Sequence, residues 1–365
     1  LALFRYKKKI VLNPSQYQSF NRLVQTGAPF SLWRNPGGDC QLLIGSQVVE
    51  FEATQLSDYL NRNGYLIAPF DVTRHPFVMI EGNSILLEDW DGSCRDIASV
   101  LKSRDLPFEI SLPEYLLQSQ AFVDEIQQGK LSKAILSRVV TQDVTGCDIA
   151  LLFNTMCDKY PTASVFCYST SVTGLWMGAT PELFFEKSDN QCYTVALAGT
   201  RKGNDNTSWQ QKELHEQALV ARFIEDVLHK HQAQNIEESQ PQTVQAGAIS
   251  HLRTSFGFTL RDGDPLDQLL LDLHPTPAVC GLSKDAAMAL INRIEKHDRR
   301  YYGGFNGYVS GDDFLLFVTL RCMQIVGQKA CLYVGGGITA ASVPQSEWDE
   351  TVLKSQTLLS VLKNI

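Results

Sequence analysis

The 365-residue sequence predicts an α+β fold built mostly of antiparallel sheets. Three observations point to it: apolar runs of strand length come in hairpin-like clusters, single long helical stretches interrupt those clusters, and no regular strand-helix alternation suggests a doubly wound parallel sheet. With 44% hydrophobic and 10% aromatic residues the chain can bury a large core, and it is neither disordered nor fibrous. No repeat or low-complexity segment divides it. One compact unit is expected, with residues 1–112 as a strand-rich part of the fold and residues 113–365 as the part that carries the chemistry.

The elements follow in order. Residues 1–112 alternate apolar runs with Gly, Pro, Asn and Asp, as at Asn35-Pro36-Gly37-Gly38-Asp39, and read as strands and turns. From Pro113 a helix is expected, with Tyr115, Phe122 and Ile126 at helical spacing and Gly129 placed to stop it. Strands are expected at Lys133–Val140, Ser164–Tyr168, Leu175–Ala179, Tyr193–Ala198, Gly303–Val309, Phe314–Ile325 and Ala330–Val334. Long helices fit Trp209–His229, Lys284–Lys296 and Gln345–Leu362.

Composition excludes several function classes. A formal net charge of −8 argues against a nucleic-acid partner, because binding phosphates requires a concentrated basic face. If the substrate is an anion, the site needs local cations or a bound metal to reverse that field. Apolar stretches such as Phe314–Leu320 are far shorter than the roughly 18 to 20 residues that span a bilayer, so no membrane partner is expected. Lys7-Lys8-Lys9 is not followed by an apolar run, so no secretory signal is expected. Nine scattered cysteines without a CxxC pair fit reduced thiols in a cytoplasmic protein.

Four groups of residues could carry chemistry. Strand alternation places Lys133 on one face with Ile135, Ser137 and Val139. A lysine partly withdrawn from water there could serve as a general base, although the segment alone also reads as a strand-end lysine reaching for solvent. Glu182 follows Pro181 and precedes an apolar strand. In a cleft its carboxyl would stay protonated and act as a general acid, and outside one it is a solvated turn residue. Glu213 and Glu216 share one helix face, as do Glu347 and Glu350 on another. Facing each other, the two pairs would form an all-oxygen site suited to Mg²⁺, and otherwise they are two solvated helix faces. Arg321 ends a strand and could pair with a carboxylate, while Gly335-Gly336-Gly337 leaves backbone N–H groups open to an anion or forms a tight turn. His274 lies between turn residues and by itself reads as structural.

In chain order these segments resemble the chorismate-utilising enzymes, closest to the isochorismate synthases. The resemblance rests on Lys133 with Leu136-Ser137-Arg138, Pro181-Glu182-Leu183, Leu197-Ala198-Gly199-Thr200, Glu213 with Glu216, and Leu273-His274-Pro275-Thr276-Pro277-Ala278. It continues through Tyr301-Tyr302-Gly303-Gly304, Leu320-Arg321, Gly335-Gly336-Gly337-Ile338 and Glu347-Trp348-Asp349-Glu350 with Lys354. The resemblance implies that Glu216 and Glu350 are the principal Mg²⁺ ligands, with Glu213 and Glu347 close by. It implies that Gly199, Thr200, Gly337 and Lys354 surround the ring carboxylate of chorismate and that Tyr302 and Arg321 take the enolpyruvyl carboxylate. His274 and Gly335 are expected among the substrate contacts. Lysine at 133 resembles the enzymes that activate water, whereas anthranilate synthases resemble a glutamine there. Alanine at 198 lacks the lysine nucleophile of aminodeoxychorismate synthases. No glutamine amidotransferase subunit is therefore expected. Salicylate synthases share Lys133, and a silent chorismate-binding protein would share the fold. Gln217 stands where the family usually has histidine, and Gly336-Gly337-Ile338-Thr339 varies its commoner Ala-Gly-Ile-Val.

Overall fold

The computed structural model describes residues 12–93, 104–202, 208–246, 249–261, 263–311 and 313–363. The chain opens with helix α1 (Pro14–Thr26), followed by β1 (Phe30–Arg34), β2 (Cys40–Ile44), β3 (Gln47–Phe51), a single helical turn α2 (Ser57–Leu60), β4 (Asn63–Ala68), β5 (Phe77–Glu81) and β6 (Ile85–Leu86). Its middle comprises α3 (Leu112–Gln127), β7 (Lys133–Asp143), α4 (Ile149–Lys159), β8 (Ser164–Thr170), β9 (Gly174–Thr180), β10 (Leu183–Ser188), β11 (Gln191–Lys202) and α5 (Gln211–Lys230). The last third contains β12 (Gln234–Glu238), β13 (Gln242–Ala246), β14 (Ile249–Thr259), α6 (Leu266–Leu273), β15 (Gly281–Leu282) and α7 (Lys284–Ile294). It ends with β16 (Phe305–Ser310), β17 (Asp313–Val318), β18 (Cys322–Val326), β19 (Lys329–Ile338) and α8 (Pro344–Leu362).

The strands form two large sheets. The first runs β15-β7-β19-β18-β9-β8-β1-β2-β6, and the second runs β12-β14-β11-β10-β17-β16-β4-β5-β3 with β13 paired to β14. Neighbouring strands pair antiparallel, as expected of an α+β chain. The sheets face each other across an aromatic layer: Trp33, Phe166, Tyr168, Trp176 and Tyr333 from the first meet Tyr65, Ile67, Val78 and Ile80 from the second. On the outer face of the first sheet, apolar residues of α1, α4 and α8 complete a core. Those of α5 and α6 do the same for the second. Helices α3 and α7 pack against the β7 end of the first sheet. Each sheet therefore buries both faces, which is why its strands read as nearly continuous apolar runs rather than clean alternations.

Three expectations change. The first third contains α1, begun by Asn13, whose side chain accepts from the Gln16 backbone N–H, and by Pro14 in the first turn. Phe314–Ile325 is not one strand. It breaks at Thr319–Arg321, where the chain leaves β17 in the second sheet and enters β18 in the first. The helix expected at Lys284–Lys296 ends at Ile294, because Glu295 turns inward. There its carboxylate pairs with Arg299 at 2.5 Å and accepts from the Ser137 backbone N–H at 2.6 Å. Arg299 also donates to the carbonyls of Ile135 and Val279. This buried network pins β7 two residues beyond Lys133, and every charge in it has a partner.

Candidate active site

Two adjacent crossings between the sheets build the site. Thr180 ends β9 in the first sheet and Leu183 begins β10 in the second, with Pro181 and Glu182 in between. Beside them, Thr319–Arg321 makes the return crossing from β17 to β18. The Val318 N–H donates to the Glu182 carbonyl at 3.0 Å, and the Ala179 N–H donates to the Arg321 carbonyl at 3.1 Å. Arg321 adopts φ 46°, a left-handed conformation that costs an ordinary residue about 1 kcal/mol or more. That turn directs its guanidinium into the cleft where the sheets part.

Lys133, Glu182, Gly199, Glu213, Glu216, Tyr302, Arg321, Gly335, Gly337, Glu347, Glu350 and Lys354 all line this one cleft. Of the two glutamate pairs, the first comes from α5 and the second from α8, and all four side chains line the same cleft. Lys133 is 3% exposed, and its Nζ lies 2.5 Å from Glu216 Oε1. Lys354 Nζ lies 2.6 Å from Glu350 Oε1 and donates to the Gly335 carbonyl at 2.8 Å.

Glu182 is 3% exposed, and burial pushes its carboxyl up to about 8 even though Lys133, Arg321 and Lys354 pull the other way. It is therefore protonated at neutral pH. Burial pushes Tyr302 above the ordinary phenol range, so its hydroxyl is also a neutral donor.

Glycines provide the space. A Cβ at Gly337 would stand 2.8 Å from Lys133 Cε, and one at Gly335 would stand 2.8 Å from the Tyr302 hydroxyl. Gly337→Ala is thus expected to fold normally, since a flexible lysine end can shift, yet to lose on the order of 10²-fold in kcat, the usual cost of displacing a reacting group by about 1 Å. Steady-state kinetics with a melting curve checks this, and an unchanged kcat would contradict it.

One expected contact is not brought into the cleft, and another falls outside what the structure describes. The His274 ring packs edge-on against Phe184 and Phe305, its Nε2 lies 2.8 Å from the Pro69 carbonyl, and burial lowers its pKa to about 3. It buttresses the second sheet and does not line the cleft. The backbone of Thr200 lies in β11, but its side chain falls outside the described residues. Gln217 also points away from the cleft, donating to the Ala196 carbonyl and to Thr254 Oγ1, both at 3.0 Å.

His251 lines the cleft and was not foreseen. Its Nδ1–H donates to the Gly199 carbonyl at 2.8 Å, leaving Nε2 to face Arg321 at 3.4 Å. Burial, reinforced by Arg321 and Lys354, pushes it down to about 3, so the ring is neutral. The available signal was a polar Ser250-His251 pair inside a strand-length run; one histidine at that spacing does not separate a site residue from a core one.

The donor set fits Mg²⁺. Four carboxylates line one cleft, and Glu213 Oε2 is buried without a hydrogen-bond partner. No group of three His, Cys, Asp or Glu among the described residues forms a ready-made cage. Such an arrangement suits an ion that keeps several waters and takes further ligands from an anionic substrate.

Fold and cleft together define an enzyme for a small anionic substrate, equipped with a neutral acid, a buried lysine and a carboxylate cluster. The chain belongs to the chorismate binding enzyme family, whose model matches residues 100–363. It is 27% identical over 277 residues to isochorismate synthase EntC of Escherichia coli, covering 72% of this chain and 70% of that one. It is 30% identical over 244 residues to the vibriobactin-specific isochorismate synthase of Vibrio cholerae, covering 63% of this chain and 62% of that one. Among solved structures, the menaquinone-specific isochorismate synthase MenF of E. coli superposes with a TM-score of 0.78 at 21% identity, covering 96% of this chain and 91% of that one, and so shares the fold.

Proposed function

We infer that this chain is an isochorismate synthase that isomerises chorismate by adding water at C2 and losing the C4 hydroxyl. The observation that carries the mechanism is a buried, neutral Glu182 in the same cleft as Lys133, with no nucleophile at Ala198. Lys133 takes a proton from the water that attacks C2, and Glu182 gives its proton to the departing C4 oxygen. Arg321 and Tyr302 hold the enolpyruvyl carboxylate. Lys354 and the Gly335–Gly337 backbone hold the ring carboxylate. Glu216 and Glu350 would hold Mg²⁺ directly, with Glu213 and Glu347 through water. When bound, the ion would supply the positive charge that Arg321 and Lys354 alone cannot provide against four carboxylates and a dianionic substrate. Orientation and proton transfer carry the rate, without a covalent intermediate.

We place the enzyme in the cytoplasm, supported by eight described cysteines that are all free. No described helix is long and apolar enough to cross a membrane. Because water is the nucleophile, no ammonia-supplying subunit is needed.

Chromatographic product analysis tests the reading. With chorismate, Mg²⁺ and an ammonium salt together, isochorismate is expected as the main product, and a chelator is expected to stop its formation until Mg²⁺ is restored. Abundant anthranilate or aminodeoxychorismate, stoichiometric salicylate with pyruvate, or full turnover in excess chelator would each overturn part of it.

A further inference from the structure

Arg138 lies on the face of β7 opposite Lys133, beneath α8, and is 4% exposed. Its guanidinium carbon stands 3.9 Å over the Trp348 ring, and its Nε donates to Thr351 Oγ1 at 2.8 Å. Thr351 is fully buried, and its hydroxyl donates in turn to the Trp348 carbonyl at 2.7 Å. Tyr115 of α3 packs edge-on against the same indole, with centroids 5.3 Å apart. One turn of α8 is therefore gripped at residues 348 and 351, each directly following a glutamate of the cleft. A helical turn is rigid, so fixing those two positions fixes where Glu347 and Glu350 project. Both carboxylates come close to β19 at Gly336, where a Cβ would lie 3.5 Å from Glu347 Oε2 and 3.9 Å from Glu350 Oε1.

We propose that Arg138 is a positioning residue for the acidic turn of α8, setting the affinity for Mg²⁺ without touching ion or substrate. This rests on the reading that Glu347 and Glu350 serve the ion. Lysine cannot replace Arg138, because the grip needs both a flat cation over the indole and a donor aimed sideways at Thr351. Partners of this kind behind metal ligands are typically worth about 10- to 100-fold in affinity.

The test is calorimetric titration of Mg²⁺ into substrate-free protein, with urea unfolding of each variant alongside. Arg138→Lys is expected to weaken Mg²⁺ binding by about 10- to 100-fold, while KM for chorismate at saturating Mg²⁺ stays within about twofold of wild type. Thr351→Val, close in shape but without the acceptor, should weaken Mg²⁺ in the same direction. The double variant should be no worse than the worse single one, because both cut the same grip. A folded Arg138→Lys with Mg²⁺ affinity within twofold of wild type overturns the proposal. Should that variant not fold, an unchanged affinity in Thr351→Val overturns it instead. Glu350→Ala separates the two levels: if it leaves Mg²⁺ binding intact, the metal assignment fails and the proposal with it. If it weakens binding while Arg138→Lys does not, only the positioning role fails.

Discussion

Glu182→Gln is expected to fold, to lose roughly 10²- to 10⁴-fold in kcat, and to be more stable than wild type in alkaline buffer. The amide fills the same space but cannot give a proton to a leaving hydroxyl. In the wild type, kcat/KM should fall as pH rises through about 8, because the buried carboxyl then ionises, and this limb should vanish in the variant. The stability effect follows from the same shift. Burial raises the carboxyl from 4.5 to about 8, so the native state holds a proton that the unfolded state releases. Wild-type stability therefore declines as pH rises across that window, whereas a neutral amide feels no such decline. Well above pH 8 the variant could gain up to about 5 kcal/mol, an upper bound because the site can relax or admit water. Denaturant melts at pH 6 and pH 9 check this, and near-wild-type turnover would assign the acid role to another group.

Lys133→Ala should abolish water addition to a similar degree, roughly 10²- to 10⁴-fold, while chorismate still binds. In the proposed binding mode Arg321, Tyr302, Lys354 and the glycine backbone hold the two carboxylates, whereas the Lys133 amine is held by Glu216 at 2.5 Å. Removing it leaves Glu216 without that partner, so binding is best measured with Mg²⁺ present to offset the charge. Equilibrium binding of chorismate and single-turnover product formation separate the two effects. Undiminished hydration in the variant would show that another group activates water.

What was legible in the sequence follows from local periodicity. The glutamates of α5 and α8 reveal themselves because residues three apart share a helix face, and Lys133 does so through strand alternation. Gly129 stops α3 as expected, with φ 80°. What was hidden depends on tertiary pairing. Phe314–Ile325 is a mostly apolar run because both flanking strands are buried on both faces, and although Arg321 interrupts it, nothing local says that the chain changes sheets there. Arg321 could be suspected as an anion ligand, but not as the hinge of a crossing. His274 carried an ordered motif, and its inward turn toward the Pro69 carbonyl depends on a contact 205 residues away in sequence. The α1 start was readable from Asn13 and Pro14, but the surrounding turn residues outweighed it.

The first third of the chain carries no proposed catalytic group, yet it guards both sheets against self-association. It supplies β1, β2 and β6 at one end of the first sheet and β4, β5 and β3 at one end of the second. Without it, β8 and β16 would become edge strands with open rows of N–H and C=O groups along their length. In β8 that edge is Ser164–Thr170, seven buried residues with no charge and no proline, the kind of flat template onto which further copies add. A fragment holding every proposed catalytic residue but lacking this segment is therefore expected to aggregate, even though no described residue of the first third lines the cleft.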